Sequence, residues 1–202
     1  SLSLASLGST SQLSATVKDQ NGVTMASATV TWATSDAAVV TVSSAGLVTS
    51  VADGTATITA TSGSASATVT VTVAQAAANL VLSDSILTFA SLADTTQLTA
   101  TVTDARDEVV DSATVTWATS NAAVATVSSA GLVTAIADGE ATITATSGSA
   151  SATATTTVSQ VASSVTLSPT SLSLASIGAT ATLTPTVKDA GGTTISGASV
   201  TW

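Results

Sequence analysis

Tryptophan occurs three times in this chain of 202 residues, at positions 32, 117 and 202, in two equal steps of 85. The same step links Asp19 to Asp104 and Asp189, Leu13 to Leu98 and Leu183, and Gly54 to Gly139. Between Trp32–Thr68 and Trp117–Thr153, 32 of 37 positions are identical. The exceptions are Asp36/Asn121, Val40/Ala125, Ser50/Ala135, Val51/Ile136 and Thr55/Glu140. A repeat of this length is too long for a helical solenoid unit and suits a small sandwich domain. Whatever forms must close within one such period and tolerate being copied in tandem.

The phase of the repeat sets the organisation. "NLVLSD" (Asn79–Asp84) and "SVTLSP" (Ser164–Pro169) open the second and third copies, with no counterpart before Ser1. Residues 1–75 read as a module without its first strand, 76–160 as a complete module, and 161–202 as the N-terminal part of a third. The expectation is a slice of a longer tandem array, with any export signal and anchor lying elsewhere.

Within each copy, apolar and hydroxyl residues alternate. "QLTATVT" (Gln97–Thr103) sets Leu98, Ala100 and Val102 against Thr99, Thr101 and Thr103. "ATITA" sets Ala141, Ile143 and Ala145 against Thr142 and Thr144, and "TVTVTV" sets Val69, Val71 and Val73 against Thr68, Thr70 and Thr72. A strict period of two with β-branched residues predicts half-buried strands, and no window shows a helical period. Turn residues fall between the runs in "DQNG", "SSAG", "ADG" and "TSGS", supplying Gly and Asx positions. Seven or so short strands at this spacing predict an all-β, antiparallel sandwich per module. The tryptophan of each copy falls on an inward position, and Trp117→Ala is expected to cost about 3–5 kcal/mol.

Charge excludes several partners. Against 12 Asp and Glu there are only Lys18, Arg106 and Lys188, a formal charge of −9. A nucleic-acid surface needs clustered Lys and Arg, and so does a basic membrane-surface helix. The 33 Ser and 42 Thr wet the surface instead. No apolar run approaches the ~18 residues of a membrane span. With no cysteine, disulfides and thiolate metal sites are excluded.

One stretch carries a family likeness. "VTWATSNAAVATVSSAGLVTAIADGEATITATSGSASATATTTV" (Val115–Val158) resembles the bacterial Ig-like domain of group 2, found in tandem in intimin- and invasin-type surface proteins. Trp117, Val127, Gly131, Val133, Gly139, Ala141 and Ile143 stand at that family's positions, and copy one matches equally. The resemblance implies immunoglobulin-like sandwiches in tandem. It implies no catalytic residues. Such modules serve as adhesin stalks, phage virion appendages and accessory domains of secreted enzymes.

With no His or Cys, and no Lys repeated in every copy, a serine has no evident base. "DARDEVVD" places Asp104, Asp107, Glu108 and Asp111 within eight residues, oxygen ligands of the kind Ca²⁺ takes. The spacing fits no EF-hand loop, and "DQNGVTMA" and "DAGGTTIS" keep only the first Asp, so a solvated hairpin turn is expected. Asp84 and Asp94 at the junctions have no supporting pattern for calcium. Lys18 and Lys188 sit at strand ends before Asp19 and Asp189, and some surface Ig-like modules form Lys–Asn isopeptide bonds, but Thr103 stands at this position in copy two, so ordinary exposed lysines are expected. The threonine ladders offer a flat face for ice or glycan. Glycan recognition wants exposed aromatics, and the three Trp and Phe89 are expected in cores. No catalytic, cofactor-binding or metal-ligating residue is assigned.

The linkers complete the reading. "VAQAAANL" (Val73–Leu80) and "VSQVASSV" (Val158–Val165) hold neither Gly nor Pro and are too short for a flexible coil. Strands of about 7–9 residues at roughly 3.3 Å each cover about 25–30 Å, so each copy adds reach. The expected partners are the neighbouring modules of the same chain. The expected function is a non-catalytic spacer in an extracellular bacterial surface protein, an adhesin or biofilm stalk. The alternatives are a component of a phage virion or extracellular filament packing into a lattice, and an accessory glycan-binding region of a secreted enzyme.

Overall fold

A computed structural model describes residues 1–202. The chain forms two compact units. The first comprises Ser1–Leu80, Thr101–Thr114 and Ser147–Ala150; the second comprises Val81–Ala100, Val115–Thr146 and Ser151–Trp202. No helix is long and apolar enough to cross a membrane.

In the first unit, the first repeat supplies β1 (Leu2–Leu4), β2 (Thr10–Gln12), β3 (Thr31–Thr34), β4 (Val40–Val42), β5 (Leu47–Ser50), β6 (Gly54–Ser62) and β7 (Ala65–Val73). They make two sheets, ordered β1-β7-β6-β3 and β2-β5-β4. Leu4, Val40, Val48, Ile58, Val71 and Val73 form the core, with Trp32 packed against it.

The second repeat follows the same plan. It supplies β8 (Asn79–Leu82), β9 (Ile86–Phe89), β10 (Thr95–Gln97), β11 (Ala100–Thr103), β12 (Thr116–Thr119), β13 (Ala125–Val127), β14 (Leu132–Ala135), β15 (Gly139–Ser147) and β16 (Ala150–Val158). The sheets are β12-β15-β16-β9 and β10-β14-β13, with β11 paired to β8. Leu87, Phe89, Leu98, Val133, Ile143 and Val158 form the second unit's core, with Trp117 against it. Beyond them, β17 (Ser164–Ser168) pairs antiparallel with β18 (Thr184–Lys188). The fold is all-β, a tandem of immunoglobulin-like sandwiches.

The period-two pattern produced these layers. On β15, Ala141, Ile143 and Ala145 are buried and Thr142, Thr144 and Thr146 are half-buried. Strand length departs from expectation: only β6, β7, β15 and β16 reach nine residues, and the others have three to five. Two edge pairs run parallel: β1 lies along β7, and β9 along β16. The pairs β10–β14, β12–β15, β13–β14, β17–β18, β2–β5, β3–β6, β4–β5 and β6–β7 are antiparallel, as expected.

The expected single strand Gln97–Thr103 is two. β10 joins β14, while β11 joins β8, because the chain leaves one sheet for the other at Leu98 and Thr99. Leu98 is fully buried at this crossing, and Gln97 Nε2 donates to the carbonyls of Leu98 and Ala130 at 2.7 Å each. Gly131 makes the crossing fit. Its φ is +84°, and a Cβ there would stand 2.5 Å from the Leu98 carbonyl oxygen and 2.9 Å from the Trp117 ring.

Trp32 and Trp117 are half-buried walls of their cores rather than wholly interior. Trp202 is 77% exposed and lies outside any strand, whereas Trp117 pairs with Ala145 of β15.

Candidate functional site

The most elaborate polar sites lie where one repeat meets the next. Asp104 closes its own hairpin turn: its Oδ1 accepts the N–H of Arg106 at 2.8 Å and of Glu108 at 3.2 Å. Its Oδ2 serves copy one. Leu7 N–H donates to it at 3.0 Å, and so does Gln75 Nε2 at 3.0 Å. Gln75 is itself fixed, its N–H on Asp53 Oδ1 at 2.8 Å and its Nε2 also on the Val109 carbonyl at 3.2 Å. All these residues belong to the first unit.

The linker around Gln75 is zipped on alternate residues. Ala74 and Ala76 N–H donate to the carbonyls of Leu4 and Ala5, and Ala78 N–H donates to Thr103. One short segment thus bonds first to copy one and then to copy two.

The second unit repeats the arrangement. Asp189 Oδ1 accepts Thr193 N–H at 2.8 Å, and Oδ2 accepts Leu92 N–H at 3.0 Å and Gln160 Nε2 at 2.9 Å. Gln160 N–H sits on Asp138 Oδ1 at 2.9 Å. Ser159 and Val161 donate to Phe89 and Ala90, and Ser163 to Lys188. Asp19 heads the series, but only its Oδ1 is engaged, by Asn21 and Val23 N–H at 2.9 Å each, and the residue is exposed.

Asp104 and Asp189 are 0% and 2% exposed. Burial works to raise the Asp104 pKa, but the Gln75 amide and the N–H groups of Arg106, Leu7 and Glu108 outweigh it and hold the carboxyl below its ordinary value. For Asp189, the Gln160 amide chiefly lowers it against burial, helped by the N–H groups of Leu92, Thr193 and Gly191. A carboxylate encircled by donors is held ionised. Both oxygens of each carboxylate accept hydrogen bonds, from backbone N–H groups and from the Gln amide.

Asp104 therefore is not the solvated turn residue expected from "DARDEVVD". Burial against copy one takes it out of water. Asp107, Glu108 and Asp111 are exposed, as are Asp84 and Asp94, and no three acidic side chains converge as metal ligands. Lys18 is exposed and Lys188 half-buried, each bridging the base of its Asp turn. Phe89 is in the core. The signal for the junction was present in the sequence: Gln75 and Gln160 recur with Asp104 and Asp189 at one spacing. Its meaning depended on contacts 97 residues apart.

The profile of the bacterial Ig-like domain (group 2) matches residues 5–73 and 88–158. No curated protein sequence matches this chain significantly. Among solved structures, the surface layer protein SbsC, domains 1–6, is similar at 20% identity and a TM-score of 0.42 over 90% of this chain. Invasin, a bacterial integrin-binding protein, is similar at 23% identity and a TM-score of 0.41 over 90% of this chain. This chain spans only 26% of that SbsC structure and 43% of the invasin structure.

Proposed function

The chain belongs to the bacterial Ig-like domain (group 2) family, and from this premise we propose that it is a non-catalytic structural spacer of an extracellular bacterial surface protein, an adhesin or biofilm stalk. Its working units are the repeats 1–75, 76–160 and 161–202. The observation that carries the reading is the bonded junction found twice, with the same Asp, Gln and Leu partners 85 positions apart. A spacer lengthens by duplication when each copy closes its own core and brings the joint to the next. The linker bonds and the buried carboxylate oppose bending at each joint, which a stalk requires and a flexible tether does not. The hydrogen-bonded oxygens of the two buried carboxylates and the lack of His and Cys favour a mechanical role over chemistry.

The test pairs two measurements on the 202-residue protein. Small-angle scattering extrapolated to zero concentration is expected to give an elongated particle, and a glycan array is expected to remain blank. A compact particle, or saturable binding to a glycan class, would overturn the spacer in favour of a binding module.

A further inference from the structure

Two pairs of strands run parallel, and each joins an early strand of a repeat to its last. In the second repeat, β9 lies along β16, with Ile86 opposite Thr155 and Phe89 opposite Val158. In the first, β1 lies along β7, with Leu2 opposite Val71 and Leu4 opposite Val73. The main-chain bonds continue past the strands. Thr155 N–H donates to the Ser85 carbonyl, Ser159 N–H to that of Phe89 and Val161 N–H to that of Ala90, at 2.9 Å each. Ala74 and Ala76 N–H do the same on Leu4 and Ala5.

The direction of these strands decides how they take tension. The chain comes to β9 from the linker side of the repeat and leaves β16 directly into the next linker. Tension along the chain therefore draws β9 and β16 in opposite senses along one axis. The bonds of a parallel pair are evenly spaced, so all are loaded at once, in shear, and must fail together. Strands peeled apart from one end would release their bonds one at a time. The inner side of the pair is closed to competing water, because Leu87, Phe89, Thr156 and Val158 are all buried.

One carboxylate oxygen spans the exit of the pair. Asp189 Oδ2 takes Leu92 N–H, just past β9, at 3.0 Å, and Gln160 Nε2, just past β16, at 2.9 Å. Asp189 belongs to the following repeat. Asp104 ties Leu7 to Gln75 in the same way past β1 and β7.

We propose that β9–β16, and β1–β7 in the first repeat, is a force-bearing clamp, and that the buried aspartate of the following repeat is its latch. The chain then carries tension as well as length, which deepens the spacer reading and rests on it. When a repeat unfolds, the latch on its predecessor goes with it, so the predecessor opens more readily under load.

The experiment pulls single molecules of the 202-residue chain at constant force. The chain has no cysteine, so Ala76→Cys and Ser163→Cys, both at exposed positions, give unique attachment points on either side of the second repeat. Forced unfolding reads the unfolding rate. Ser159→Pro and Val161→Pro each delete one clamp donor and are expected to raise that rate roughly tenfold. Asp189→Ala and Gln160→Ala, which open the latch from either side, are expected to raise it by a similar factor. The control is Val133→Ala, a core truncation in the sheet β10-β14-β13. It is expected to lower the urea midpoint at least as far as the proline variants, yet to change the rate under load by no more than about twofold. Proline variants that unfold under load at the parent rate, or a control that unfolds as fast as they do, would overturn the clamp. Parent rates in both Asp189→Ala and Gln160→Ala would overturn the latch. None of these outcomes alters particle shape or glycan binding, so the spacer reading is judged separately.

Discussion

Thr156 carries a buried hydroxyl with no hydrogen-bond partner, at the position where the first repeat has the fully buried Val71. Thr156→Val removes a desolvated polar group while keeping the shape. It should stabilise the protein by about 1 kcal/mol, read as a raised midpoint in urea; a lowered midpoint would show that the hydroxyl is satisfied. Gly131 is the opposite case. A methyl group there meets both the Leu98 carbonyl and the Trp117 ring in a backbone region that L residues avoid. Gly131→Ala should cost roughly 3 kcal/mol or more, measured by the same denaturation. Trp117→Ala should fall at the lower end of the range, about 3 kcal/mol, because the ring is a half-buried wall of the core.

Among the elements, the linkers and Asp turns govern how one repeat holds the next. Asp104→Ala strips partners from Leu7 and Gln75 while leaving both cores intact. The expected result is a lowered unfolding midpoint and faster amide exchange at Leu7 and around Gln75; unchanged exchange would remove the joint from the account. Acid should act through the same group. The carboxyl pKa is lowered in the folded protein, so its stabilisation is full above the ordinary carboxyl value and is lost as pH falls through the folded-state value. Asp104→Asn should flatten that part of the acid titration. The turn around Asp104 was legible as a turn, because Gly and Asx positions recur there. Its role as a joint was not, since the donors come from Leu7 and Gln75, far away in sequence. The switch of sheets at Leu98 and Thr99 was likewise hidden, because the alternation runs unbroken across it.

At the scale of the whole molecule, charged residues make up only 7% of the chain, and the junctions rely on buried carboxylates bonded to N–H groups rather than on exposed ion pairs. Exposed charges are screened by salt and buried ones far less. The unfolding midpoint should therefore move little between low ionic strength and about 1 M sodium chloride. A steep dependence would show that surface charge holds the repeats together.

The sequence alone determined that the chain is all-β, that it repeats every 85 residues and that the repeat folds as a sandwich. Alternation, turn residues and duplication are local or periodic signals, and they survive being read along one line. Only the tertiary structure decided that Asp104 and Asp189 are buried joints, that Trp117 is half-buried, and that the chain changes sheets at Leu98 and Thr99. Each of these depends on which residues from distant parts of the chain arrive to cover a group, and burial and hydrogen bonding are properties of that arrival.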